Sequence, residues 1–223
     1  MNICRTPMTY FLLLFWAGIV TAGCSKPYVY MHPSPGLDRI KRIAVMPFDN
    51  FTKDDKASEK VRTNFVVELL MTGLFNVMDI GEVDRILQRE GLSYSSSQIT
   101  EPIISVPGTE EGIGASIPLS KKIGDALNVE AILVGSVDAY STERIADQII
   151  PEVSISARLI DTETGIIIWA SAYTRRGSAG FPIFGWGKVT SLSVLSQRVI
   201  QDMVNSLAGA SAPGLRFPFS FHR

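Results

Sequence analysis

The junction at Cys24 divides the chain into two parts of different character, and it limits how the second part can be stabilised. Upstream lie a basic residue, Arg5, and an uninterrupted apolar run over residues 10–20. That run is too short to cross a bilayer, which takes about 20 apolar residues. A basic start, a short apolar core and small residues before a cut are typical of a secretory signal peptide. We therefore predict that residues 1–23 are removed and that the mature protein begins at Cys24.

The residues before the cut resemble the cleavage box of bacterial lipoproteins, in which a cysteine directly after Ala-Gly is acylated. Thr21 departs from that box, which most often has leucine there. The resemblance implies palmitate or a similar acyl chain on Cys24 and a place in the bacterial cell envelope. Ser25 and Lys26 follow without a retaining aspartate, which implies an outer-membrane anchor and a domain that faces the periplasm. The alternative is an ordinary signal peptide that ends before a chance cysteine.

Cysteine content decides what holds the mature domain together. The chain has two cysteines, and Cys4 leaves with the leader, so Cys24 has no partner for an internal disulfide. Stability must come from packing, for which 46% apolar residues supply the material. The 21 basic and 22 acidic residues balance, and no basic stripe with interleaved aromatic residues occurs, which argues against a nucleic-acid partner.

The order of apolar patterns predicts the fold class. Residues 24–38 carry three prolines and no period, and we interpret them as the lipidated cysteine and a tether. Such a chain reaches about 50 Å when extended, at roughly 3.5 Å per residue, and about 20 Å when flexible. Residues 39–208 then give strand, helix, strand, helix, helix, three strands and helix, followed by an irregular tail over 209–223. We predict a single compact α/β domain with a mixed β-sheet packed against three to four helices.

Several local signals refine this prediction. Thr52 and Asp55 have the spacing of a capping box, and Asp79 stands where it can cap the next helix. Gly135 lies inside an apolar strand, which indicates a bulge or a close backbone approach. Residues 153–159 alternate between apolar and polar, which predicts a strand with one face in water.

Four stretches together resemble the curli-secretion (CsgG-type) lipoprotein family. They are Arg-Ile-Ala-Val-Met-Pro-Phe (42–48), Gly-Leu-Phe-Asn-Val (73–77), Asn-Val-Glu-Ala-Ile-Leu-Val-Gly-Ser-Val (128–137) and Arg-Leu-Ile-Asp-Thr-Glu-Thr-Gly-Ile-Ile-Ile-Trp-Ala (158–170). The same opening occurs in the TolB amino-terminal domain and in penicillin-binding-protein activator lipoproteins. The four stretches occur in the family's order, and the resemblance that they carry extends over nearly all of residues 40–208.

The resemblance implies secretion but not a pore. Each protomer of the curli channel contributes two membrane hairpins, and a membrane strand needs about 9–11 residues. The matching intervals here, residues 141–152 and 174–188, have 12 and 15 residues and do not alternate. We therefore predict a binding or assembly component of a secretion or surface-assembly machine that lacks these pore hairpins. An activator of penicillin-binding-protein cell-wall synthesis is the alternative, and a channel-forming oligomer is the third hypothesis.

The residue inventory does not favour an enzyme. The two histidines, His32 and His222, lie in the tether and at the end of the chain, so neither is placed as a general base. No histidine and cysteine cluster has the spacing of a zinc site. The glycine-rich stretch 108–114 contains two carboxylates and lacks the Gly-Lys-Ser/Thr ending of a phosphate loop. We predict no catalytic residues, no metal and no cofactor.

An aromatic segment over residues 177–187 is the candidate binding surface. Phe181, Phe184 and Trp186 stand on a glycine-rich stretch before the last helix, and exposed groups of this kind mark contact with a protein or a membrane. The alternative is that the three rings complete the core. The partners expected are the membrane, through the acyl chains, and other envelope proteins, and the family resemblance also allows a homo-oligomer.

Overall fold

One mixed sheet of seven strands organises the domain. The structure is a computed structural model that describes residues 26–34, 36–92, 95, 118–145, 148–177, 189 and 191–211. The strands are β1 (Tyr28–Met31), β2 (Arg42–Val45), β3 (Asp49–Asn50), β4 (Asn76–Val77), β5 (Ala131–Ile145), β6 (Gln148–Asp161) and β7 (Ile167–Arg176). The helices are α1 (Ala57–Thr72), α2 (Ile80–Arg89), α3 (Leu119–Leu127) and α4 (Leu192–Ser211). The predicted fold class, a mixed sheet with four helices, is confirmed.

Parallel and antiparallel pairings occupy opposite halves of the sheet. The strand order is β1-β7-β6-β5-β2-β4, and β3 also pairs with β5. From β1 to β5 every pairing is antiparallel, whereas β2, β3 and β4 add in parallel. Pro47 separates β2 from β3, because proline has no backbone N–H to donate to a ladder.

Two helical layers cover the sheet unequally. Helices α1 and α4 pack together on one face, where the rings of Phe48 and Phe65 stack at 5.3 Å. Trp169 is fully buried there, and its indole N–H donates to the Ser206 hydroxyl at 3.1 Å. Helices α2 and α3 cover the other face only around β2, β5 and the end of β6. In the part of the chain that the structure describes, no helix is long and apolar enough to cross a membrane.

The buried stripes follow the sequence periodicity. Three α1 residues four apart, Val61, Phe65 and Leu69, are buried on one face of the helix. The last helix buries Leu195, Val199, Met203 and Leu207 at the same spacing. Along β6 the alternation is confirmed, with buried Val153, Ile155, Ala157 and Leu159.

One predicted helix cap is confirmed and the other is wrong. The Asp79 carboxylate accepts from the backbone N–H groups of Gly81 and Glu82 at the start of α2. The capping box at Thr52 and Asp55 does not form. Instead the Thr52 hydroxyl donates to the side-chain oxygen of Asn50. Helix α1 begins after this turn, at Ala57.

The interpretation of residues 24–38 as a tether without regular structure is wrong for its middle part. Tyr28–Met31 forms β1, which pairs antiparallel with β7 in the register Tyr28↔Ala172 to Met31↔Trp169. The prolines at 27 and 33 flank the strand rather than interrupt it, and tyrosine and valine favour strands. A ladder along β7 satisfies backbone groups that would otherwise need water.

The interpretation of residues 141–152 as a connection between strands is also wrong. β5 and β6 continue their antiparallel pairing through this interval, to Ile145 opposite Gln148. The side chains at 141–145 are exposed, so the arms need no apolar alternation to form. Tyr140 and Val153 are the last cross-strand pair of this hairpin whose buried side chains point toward α1 and α4. Each arm extends five residues beyond this pair.

Candidate functional site

Within the described part of the chain, no element covers the sheet surface opposite α1 and α4 over β1, β7 and β6 and the distal part of β5. We call this surface the open face. Cross-strand partners share a face, so the registers place Tyr30, Ala170 and Arg158 in one row. They place Tyr28, Ala172 and Ser156 in the next row. Among the described residues, no helix packs on these two rows, and Ala172 is exposed.

Hydroxyl groups form the centre of the open face. The Ser136 hydroxyl lies 2.8 Å from that of Ser156 and donates to the Asp138 carboxylate at 2.9 Å. The Ser154 and Thr174 hydroxyls lie 2.7 Å apart. Ser136 is buried, whereas Ser154 and Ser156 are partly exposed and Thr174 is exposed. Because these hydroxyls pair with one another, this region is stable without an apolar cover. It offers a polar surface of short side chains.

The extended β5–β6 hairpin forms one margin of the open face. The Arg176 guanidinium contacts the carboxylates of Glu143 at 2.9 Å and Glu152 at 3.4 Å, and so links β7 to both arms. Beyond this ion pair, Ile145 is 49% exposed and Ile149 is 44% exposed. The two arms therefore expose apolar side chains to solvent, and the ion pairs of Arg176 link these arms to β7.

Strand β1 forms a second margin of the open face, at one edge of the sheet. Tyr28 is 85% exposed and Tyr30 is 50% exposed, and both stand beside small residues of β7, Ala170 and Ala172. An edge strand presents unpaired backbone groups as well as its side chains. The open face is therefore polar in the middle and has exposed aromatic or aliphatic groups at two margins.

Titratable groups with shifted pKa values lie on the covered side of the sheet. Burial raises the pKa of Glu68, against a hydrogen bond from Gln197 that lowers it. Burial also raises the pKa of Tyr140, whose ring lies 5.5 Å from the Lys60 ammonium. Within the described residues, no three His, Cys, Asp or Glu side chains group in a way that could hold a metal ion. The arrangement on the open face is suited to recognition by hydrogen bonds and apolar contact.

A polar cavity of about 320 Å³ lies at the opposite end of the sheet from the hairpin. Its charged groups are satisfied within the fold. The Arg39 guanidinium lies 3.5 Å from the Asp161 carboxylate, and the Glu130 carboxylate accepts from the backbone N–H groups of Lys41 and Arg42. These contacts explain the cavity as part of the structure that supports β5 and β6.

Comparison with known proteins places the fold. No protein-family model matches the chain, and no curated protein matches it. Among solved structures, the PelC dodecamer from Paraburkholderia phytofirmans aligns with a TM-score of 0.52 and 15% identity, over 83% of this chain and 98% of that one. The likeness is one of fold. Lipoprotein GNA1162 from Neisseria meningitidis aligns at 0.49 with 19% identity, over 74% and 99% of the two chains. The LpoB C-terminal domain from Salmonella enterica aligns at 0.40 with 16% identity, over 60% and 82%.

The site residues predicted from the sequence, Cys24, Phe181, Phe184 and Trp186, lie outside the described residues, and their roles stay predictions. The two described residues that bracket the aromatic segment are close together. A side chain at Gly177 would collide with the Val189 carbonyl oxygen and with Pro151. The Gly177 N–H also donates to the Pro151 carbonyl at 2.7 Å. Gly177 and Val189, the described residues on either side of the segment, therefore both lie at the base of the β5–β6 hairpin.

Sequence reasoning missed Tyr28 and Tyr30 because it assigned them to a tether. The available signal was the Tyr-Val-Tyr stretch between two prolines, a composition that favours a short strand. The polar centre was partly foreseen, since the alternation of residues 153–159 predicted one wet face.

Proposed function

We propose that this protein is a lipid-anchored, non-enzymatic envelope component that binds other proteins in a secretion or surface-assembly machine. The observation that carries the proposal is the open face, with its polar centre and its two margins of exposed apolar side chains. Large exposed aromatic side chains are enriched at protein interfaces, whose energy is concentrated in a few such groups. Lipidation at Cys24 and an outer-membrane location with the domain in the periplasm belong to the same proposal.

Assembly with further copies of the chain is part of this function. The PelC structure with the similar fold is a dodecamer, and the curli-secretion resemblance points in the same direction. The open face and the projecting hairpin at its margin provide two exposed surfaces, which suits contacts that repeat from subunit to subunit. Each hairpin arm extends only five residues past the last buried pair that points toward α1 and α4. A membrane strand needs about 9–11 residues, so we assign this hairpin to docking rather than to a pore.

Site-specific photo-crosslinking in cells tests the proposal. A photo-reactive residue at Thr174, exposed on the open face, is compared with one at Thr63, exposed on α1. We expect Thr174, but not Thr63, to crosslink to an envelope export protein or to a second copy. Crosslinks from Thr174 to penicillin-binding proteins would support the cell-wall alternative instead. Equal yields at the two positions would remove the open face as a binding surface.

A further inference from the structure

Strand β1 fixes the distance between the domain and the residue that we assign to the lipid anchor. Its first residue, Tyr28, is held in register against Ala172 of β7. Only residues 25–27 separate Tyr28 from Cys24. Four residue steps span at most about 14 Å, at roughly 3.5 Å each. The polar headgroup region occupies roughly 5–8 Å on each side of the hydrocarbon core. With Cys24 acylated, the β1 margin therefore lies in this region or directly against it.

The side chains on this margin have the chemistry of a membrane interface. The Tyr28 and Tyr30 rings point to the open face and stand beside alanines, so neighbouring side chains do not cover them. Tyrosine has an apolar ring and a polar hydroxyl, and it is enriched where lipid tails meet headgroups. Lys26 precedes the strand and is exposed, so its charge can attract anionic headgroups.

Another strand is a poor occupant for the same edge. β1 has only four residues, and Pro27 and Pro33 flank it. Proline donates no hydrogen bond, so an added strand would gain a ladder over a very short length. The exposed tyrosine rings point out of the sheet plane and would not take part in such a ladder.

We propose that Tyr28 and Tyr30 dock the domain on the lipid headgroup region, so that the β1 margin lies on the membrane and the hairpin side of the open face remains available to protein. This inference rests on lipidation of Cys24 in the proposed function. It adds a defined orientation to the anchor, because β1 is rigidly attached to the sheet.

Fluorescence quenching on the lipidated protein tests this orientation. Its two natural cysteines are removed with the leader or occupied by lipid, so an introduced cysteine is a unique labelling site. Tyr28→Cys, Tyr30→Cys and Met71→Cys are each labelled with an environment-sensitive dye. The proteins are reconstituted into vesicles of phosphatidylethanolamine and phosphatidylglycerol that carry a headgroup nitroxide. Met71 is the matched control, because it is 69% exposed on α1, which packs beside β4 at the edge of the sheet opposite β1.

We expect quenching and a blue shift at positions 28 and 30 and neither at position 71. Equal signals at all three positions would overturn the docking. A blue shift at 28 and 30 without nitroxide quenching would mean that a second copy covers β1, which also overturns it. Vesicle flotation separates the two proposals: protein that does not float contradicts lipidation at Cys24, whereas protein that floats without quenching contradicts only the docking.

Discussion

At the scale of single residues, Gly135 shows how a core strand depends on a missing side chain. A Cβ at this position would collide with the Ser156 carbonyl oxygen and with the Phe48 ring. The sequence indicated a close approach here, and the structure identifies the two groups. Since β5 pairs with β6 on one side and with β2 and β3 on the other, neither neighbour can move without disturbing the sheet.

Gly135→Ala is expected to destabilise the domain by about 1–3 kcal/mol, because overpacking forces shifts in the surrounding core. Thermal or denaturant unfolding of the lipid-free domain measures the effect. Gly209→Ala on α4 is the control, because a Cβ there has no neighbour within 4 Å. Alanine in a helix should stabilise by about 0.5–1 kcal/mol. Equal effects of the two changes would contradict the packing at Gly135.

Glu68→Gln is expected to make the domain more stable at neutral pH. Burial raises the folded-state pKa of Glu68 above its ordinary value of 4.5. An acid with a raised folded pKa contributes most below its unfolded pKa, and that stability falls as pH rises toward the folded pKa. The advantage of the variant should therefore grow from acidic to neutral pH. A pH-independent difference between the two unfolding curves would show that Glu68 is not penalised by burial.

At the scale of elements, the two arms of the β5–β6 hairpin pair with each other, and ion pairs of Arg176 link them to β7. Arg176→Gln should change the free energy of unfolding by less than about 1 kcal/mol, because exposed ion pairs contribute little. Amide hydrogen exchange over residues 141–152 should nevertheless become faster, since Arg176 links both arms to β7. Arg144→Gln on the same hairpin serves as the control. Unchanged exchange in Arg176→Gln would show that strand pairing alone fixes the arms.

The aromatic segment is the second element that carries a prediction. Replacing Phe181, Phe184 and Trp186 together by serine should abolish partner capture and leave the melting temperature unchanged. At roughly 1.5–3 kcal/mol for each large buried ring, the same change in a core would cost most of the stability of an ordinary domain. Thermal melts and pulldown on the same variant separate a binding role from a core role. A large fall in the melting temperature would show that the three rings belong to the core.

Elements with a local signal were predictable, and elements that need a distant partner were not. The Asp79 cap and the alternation of residues 153–159 are encoded within a few residues of sequence. β1 forms because β7 offers it a ladder. The arms at 141–145 and 148–152 form because each pairs with the other, without burying a continuous apolar face. Periodicity detects regular burial, so it does not detect strands in which few side chains are buried.

At the scale of the whole molecule, our proposal makes Cys24 the residue that places every surface of the domain relative to the membrane. Cys24→Ala should abolish palmitate labelling and release the protein from the membrane fraction, because the variant lacks the residue that we assign to lipidation. Firm anchoring needs several acyl chains, and without Cys24 there are none. Cell fractionation of the variant and the wild type measures this directly. Labelling that persists in the variant, or a wild type found in the soluble fraction, would contradict the assigned compartment. The triple aromatic variant serves as the control, since it retains Cys24.

The pairing of β1 with β7 also sets an order of events. It joins residues 28–31 to residues 169–172, and pairings this distant in sequence form slowly because the entropy of closing the long loop must be lost first. If the chain is exported as we propose, residues 28–31 have no ladder to join until β7 has also crossed the membrane. On our proposal, acylation of Cys24 falls within that interval. On the same proposal, completion of the fold shortens the free chain between the lipid and the folded domain to the few residues before Tyr28.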